Sequence, residues 1–114
     1  MTPRRPTAAR LRSLPVETVQ GREVPVAVGF LSRLVGLAGL RRDEVGAGLL
    51  IPRCAGVHTF GMRFALDVLF LDGRGEVLAI RRGLRPCRFA SHRRAAAVLE
   101  IPAGPGGDFS EPGD

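Results

Sequence analysis

A chain of 114 residues is long enough for one small hydrophobic core and too short for two. Its 45% hydrophobic fraction excludes disorder throughout, and no apolar run approaches the length that crosses a bilayer as a helix. The net charge of +6 rests on 17 basic residues, every one an arginine. With abundant Ala, Gly and Pro, that bias has the look of a GC-rich coding sequence, so arginine abundance alone does not imply an anionic partner.

The N-terminal residues carry arginines but no following apolar region of the kind a secretory signal needs, which predicts a cytoplasmic protein. In that compartment Cys54 and Cys87 are expected as reduced thiols. Residues 1–13 read as a flexible basic arm, because few apolar side chains are available to anchor it. An ordered domain is expected over residues 14–104, followed by a flexible acidic tail over 105–114.

Within the domain, Val16 and Thr18, then Val24, Val26 and Val28, alternate around Gly21-Arg22, the pattern of a hairpin. Pro25 argues that its second strand lies at an edge or begins late. From residue 30 to 40 the period changes: Leu31, Leu34, Val35 and Ala38 share one face of a short helix, with Ser32 placed to cap its start and Gly39 to end it. Residues 41–44 read as a charged turn, and Leu49-Leu50-Ile51 as a brief strand stopped by Pro52. Asp72-Gly73-Arg74-Gly75 is the clearest turn in the chain, since Asp-Gly supplies the positive φ of a tight hairpin. Residues 76–80 return as its partner strand. An arginine-rich loop is expected over 81–94, and a last strand over 95–101.

The stretch from His58 to Asp72 organises the rest. As extended chain it places His58, Phe60, Met62 and Phe64 on one face and Thr59, Gly61 and Arg63 on the other, with a division into two strands near Phe64-Ala65. From Leu66 to Leu71 both faces are apolar except at Asp67, so that carboxylate is expected in or beside the core, where it must be paired or hydrogen-bonded. The architecture that follows is mainly β (α+β): a small closed β barrel of six or seven short strands with one short helix, because strands in so small a chain must curl to cover their edges and apolar face.

Candidate chemistry is limited. Asp67 is either a structural carboxylate satisfied by Arg63 or backbone amides, or a pocket group that holds a ligand with Arg63 and His58. General acid–base work lacks an evident second partner. Cys54-x3-His58 and Cys87-x4-His92 contain the donor types of a Cys2His2 metal site, at spacings unlike those of a zinc finger. The arginines from Arg81 to Arg94 include one interleaved aromatic, Phe89, and the chain has no Trp or Tyr. A solvated loop therefore accounts for them better than a nucleic-acid surface.

Gly36-Leu37, Gly48-Leu49-Leu50, the run from His58-Thr59-Phe60 through Met62-Arg63-Phe64, Leu66-Asp67-Val68 and Phe70-Leu71-Asp72, and finally Val98-Leu99-Glu100-x-Pro102-Ala103-Gly104, together resemble the signature of the domain of unknown function number 192. Arg63-Phe64 and Ala65 depart from it, standing where many members carry Asn-Thr and Pro. The resemblance implies a small closed β barrel with a short helix. It implies no activity, but it marks the residues from His58 to Asp67, and Glu100, as shared polar positions.

The function expected is that of a non-catalytic binding module with a pocket for a small polar or anionic ligand, formed by His58, Thr59, Met62, Arg63, Asp67 and Glu100. No cofactor or metal is called for, and a monomer is expected, with a small polar ligand or a protein as partner and no membrane. The alternatives are a metal- or thiol-dependent enzyme using Cys54, His58, Cys87 and His92, and, less favoured, a nucleic-acid-associated protein acting through Arg81 to Arg94.

Overall fold

A computed structural model of the chain describes residues 5–104. In chain order it contains α1 (Ala9–Arg12), β1 (Val16–Val19), β2 (Arg22–Pro25), α2 (Phe30–Val35), α3 (Arg42–Val45), β3 (Leu49–Pro52), β4 (Gly56–His58), β5 (Leu66–Leu71), β6 (Val77–Leu84), β7 (Phe89–Ser91) and β8 (Ala97–Pro102). The protein is mainly β, as expected. Its central sheet has the antiparallel order β3-β8-β5-β6, accompanied by the hairpin β1-β2 and the two-stranded pair β4-β7.

Alternation along the central strands divides the core in two. On one face Leu50, Leu69, Leu71, Leu99 and Ile101 pack under Val19, Val24 and Val26 of the hairpin. On the other, Leu49, Ile51, Leu66, Val68, Phe70 and Val98 pack with Leu11 of α1, Leu37, Val45 of α3 and Val57 of β4. Strand β5 is buried on both faces along its whole length. Each such side chain removed from water stabilises by roughly 1.5–3 kcal/mol, so β5 and β8, shared by both halves, hold the fold together.

A closed barrel is not found among the described residues. The hairpin leaves the β3 edge through a single parallel bridge, Val26 to Leu50, with the Ala27 N–H donating to the Leu50 carbonyl (2.8 Å). Its far turn returns to the sheet through the Gln20 side-chain amide, which donates to the Gly75 carbonyl (3.0 Å). One side-chain bond thus stands where a closed barrel would have a strand ladder.

Several local expectations are corrected. Residues 59–65 form a turn rather than continued strand: the Met62 N–H donates to the Thr59 carbonyl and Gly61 adopts φ +80°, a conformation that glycine reaches without steric cost. The alternating faces assigned to Phe60, Met62 and Arg63 therefore do not exist. Helix α2 ends at Gly36 instead of Gly39, and its N-cap is Gly29, not Ser32. Residues 41–44 contribute to α3, whose first turn is closed by the Arg41 N–H donating to the Glu44 carboxylate (2.8 Å). The arginine-rich segment is not one loop, since β6 extends into it and β7 lies inside it. The segment read as a basic arm carries α1, with Ala8 and Leu11 buried; the rest of that expectation, for residues 1–4, and the acidic tail over 105–114 lie outside the described residues.

Candidate functional site

Glu100 occupies an unusual place for a carboxylate. It lies in the middle of β8, paired with Leu49 on one side and Val68 on the other. Alternation puts it on the face of Val98, toward α2 and β4. Its neighbours are apolar, it is 3% exposed, and its Oε1 has no hydrogen-bond partner. Burial pushes its carboxyl from the usual 4.5 up to about 7, because removing water penalises the charged form.

The orphaned oxygen belongs to a residue that lines a pocket of about 160 Å³. A water occupies about 30 Å³ in the liquid, so the space suits a small molecule. One wall is the last turn of α2 and the residues after it: Arg33, Leu34, Val35, Gly36 and Leu37. The opposite wall is β4 and the loop before it, with Cys54, Gly56, Val57 and His58; Ile51, Met62 and Glu100 complete the lining. The walls are tied together where the Gly39 N–H donates to the Gly61 carbonyl (2.9 Å), docking the turn after α2 on the turn after β4. Gly36 is required at this junction. Its φ is +56°, and a Cβ there would lie 3.3 Å from Glu100 Oε1.

Among the described residues three buried side-chain polar atoms lack a partner: Arg22 Nε, Arg33 Nε and Glu100 Oε1. Two of the three belong to residues of this one pocket. Arg33 donates through Nη2 to the Arg53 carbonyl (2.6 Å), leaving Nε–H without an acceptor. At the same pocket the Cys54 thiol donates to the Gly56 carbonyl (3.0 Å). His58 Nδ1 accepts from the Phe60 N–H (3.3 Å), which places the proton of a neutral imidazole on Nε2. Larger hollows of about 450 Å³ near His92 and 290 Å³ beside α1 have no such orphaned atom in their linings.

Of the residues expected from the sequence, the pocket brings together His58, Met62 and Glu100, and it leaves Thr59, Arg63 and Asp67 outside its lining. Thr59 is fully buried. Its hydroxyl donates to the Arg85 carbonyl (2.6 Å) and accepts from the Arg88 N–H (2.8 Å), pinning the segment between β6 and β7 to the end of β4. Asp67 is 4% exposed, and its Oδ1 accepts from the Gly83 N–H (2.8 Å). There the register passes from Leu66↔Leu84 to Val68↔Arg81, so β6 carries an extra residue and the carboxylate latches the bulge. Arg63 is exposed on the turn.

The Cys54, His58, Cys87 and His92 set does not assemble. Cys54 and His58 line the pocket, whereas Cys87 is exposed and His92 lies against Phe70, with ring centroids 5.9 Å apart. Among the described residues no three side chains of His, Cys, Asp or Glu gather as a metal would require. No helix among them is long and apolar enough to cross a membrane.

The sequence reading missed Arg33 and the wall role of Gly36. The signal for Arg33 was a lone charge on a short, mostly apolar helix; that for Gly36 was its place in the quoted Gly36-Leu37 pair.

A family model described as an uncharacterized ACR, the domain of unknown function 192, matches residues 14–108. Among solved structures, the fold is similar to a protein of unknown function from Novosphingobium aromaticivorans (TM-score 0.57, 22% identity, covering 70% of this chain), of whose length the chain spans 62%. It is also similar to a protein from Sinorhizobium meliloti whose description proposes a transcription regulator (TM-score 0.59, 25% identity, 78% of each chain). No curated protein matches.

Proposed function

The chain belongs to the domain of unknown function 192 family, and from that premise we propose that it is a small-ligand binding module whose site is the pocket between α2, β4 and β8. The observation that carries this reading is the Glu100 carboxyl, which is buried, has one oxygen unpartnered and belongs to a residue that lines the pocket. An unsatisfied buried polar atom costs about 1–3 kcal/mol, and a ligand that satisfies it recovers that free energy on binding. His58 and Met62 contribute lining, Thr59 fixes the segment between β6 and β7 to the end of β4, and Asp67 latches the β6 bulge. The Cys54 thiol at the lining is committed to the Gly56 carbonyl and His58 Nδ1 to the Phe60 N–H, an arrangement that favours binding over a thiol–imidazole pair.

The test is amide NMR of the full chain against a panel of small polar compounds, repeated with Glu100→Gln. The reading requires compounds that shift resonances of residues 33–37 and 54–58 and bind more weakly to the variant. A panel that leaves these resonances unmoved, or binds both proteins equally, contradicts it.

A second reading is association with nucleic acid. The exposed arginines at 81, 82, 85, 88, 93 and 94 and the 65%-exposed Phe89 favour it, as does the similarity to the Sinorhizobium protein. Its test is binding to single-stranded DNA that weakens steeply with salt; no binding at low salt removes it.

A further inference from the structure

We infer that the ligand of this pocket is a zwitterion with a small aliphatic body, a free α-amino acid of about the size of valine, its ammonium on Glu100 and its carboxylate on Arg33. This rests on the pocket being a binding site and goes beyond it in naming the chemical class.

The argument starts from the two orphaned atoms. In its ionised form Glu100 Oε1 is satisfied only by a donor, and Arg33 Nε–H only by an acceptor. A single ligand that satisfies both therefore carries a donor at one end and an acceptor at the other. Charge narrows the choice further. Arg33 is permanently cationic, and Glu100, flanked in the sheet by Leu49 and Val68, forms no salt bridge with it or with any other cation among the described residues. An ammonium at Glu100 supplies that missing charge, and a carboxylate at Arg33 adds a charge-assisted bond at the other end. A ligand with both groups pairs each without adding net charge to the pocket. The remaining titratable groups at the lining are His58 and Cys54. His58 presents Nε2–H, a further donor suited to a carboxylate, and the Cys54 thiol is already committed to the Gly56 carbonyl. Between the polar ends the lining is Val35, Ile51, Val57 and Met62, and the volume of about 160 Å³ suits a short branched side chain rather than an aromatic one.

The experiment is calorimetric titration of the full chain with L-valine, isobutylamine and isobutyrate, which share one carbon skeleton and differ in their charged ends. L-valine should bind at least about tenfold more tightly than either single-charge analogue. Glu100→Gln should weaken valine and isobutylamine about tenfold and leave isobutyrate unchanged; Arg33→Gln should weaken valine and isobutyrate and leave isobutylamine unchanged. The far-UV circular dichroism of both variants is compared with wild type, and a third arm uses the unmodified protein at roughly pH 6, where valine binding should release protons from Glu100. Equal affinity for valine and either analogue, or no heat from valine at millimolar concentration, overturns the inference. If valine fails while other small compounds shift the pocket amides, the amino-acid assignment falls and the binding site stands; if nothing shifts those amides, the site itself falls.

Discussion

Glu100→Gln keeps the shape of the side chain and removes its charge, which makes stability against pH the sharpest probe of the pocket. In the folded chain the carboxyl titrates at about 7, against 4.5 when solvated. The folded state thus holds this proton more tightly than the unfolded one. The stabilisation this provides is fully present below about pH 4.5 and is lost as pH rises through about 7. At 1.36 kcal/mol per pKa unit the interval corresponds to about 3 kcal/mol, and at 3% exposure solvent screening does little to reduce it. Domains of this size are stable by only about 5–15 kcal/mol, so the effect is readily measured. Urea denaturation of both proteins at a series of pH values isolates it, because the other titrating groups cancel in the difference. The variant should gain about 3 kcal/mol relative to wild type between roughly pH 4 and pH 8, with most of the change complete near 7. A difference that stays constant across that range would refute the claim that burial without a partner governs this carboxyl.

The remaining predictions concern the frame around the pocket. Gly36→Ala places a Cβ 3.3 Å from Glu100 Oε1 at φ +56° and should cost about 1–3 kcal/mol in chemical denaturation; a neutral result would mean that the junction is not tight. Thr59→Val strands the Arg88 N–H and the Arg85 carbonyl in a part-buried site and should cost about 1–3 kcal/mol, with faster hydrogen exchange at the Arg88 amide as its local signature. Asp67→Ala leaves the Gly83 N–H without its acceptor and should destabilise by a similar amount. Asp67→Asn, which retains the acceptor, should be milder in the same denaturation series, and the reverse order would argue against a bulge latch.

Much of this fold was legible because its signals are local. The turn at Asp72 forms where its sequence suggests, though by other means: the positive φ falls at Gly75 rather than Gly73, and the Asp72 carboxylate accepts from the Arg74 and Glu76 amides (2.8 and 3.0 Å). Strand β5, apolar on both faces apart from Asp67, is buried on both. The errors have physical causes too. Residues 59–65 alternate like a strand, but the Thr59 bonds to residues 85–88, nearly thirty positions away, turn the chain there. Strand β7 is three residues long among arginines, and its pairing with β4, Val57 opposite Ala90, is a tertiary fact with no local pattern. At the site, Asp67 drew attention as a lone charge in an apolar run, and the same logic applied to Val98-Leu99-Glu100-Ile101. What alternation could not give was the partner: Asp67 finds a backbone amide, while Glu100 finds none for Oε1.

The central claim is that Glu100 is a buried carboxyl awaiting a donor, and the ionisation of that one group tests it most directly. Carbon-13 NMR of the side-chain carboxyls in glutamate-labelled protein resolves it, with the Glu100 signal assigned by its loss in Glu100→Gln. The account predicts a titration midpoint near 7 in the free protein and a fall in that midpoint on addition of L-valine. A midpoint near 4.5 in the free protein, unmoved by valine, would show a carboxylate already solvated or paired and would contradict the account.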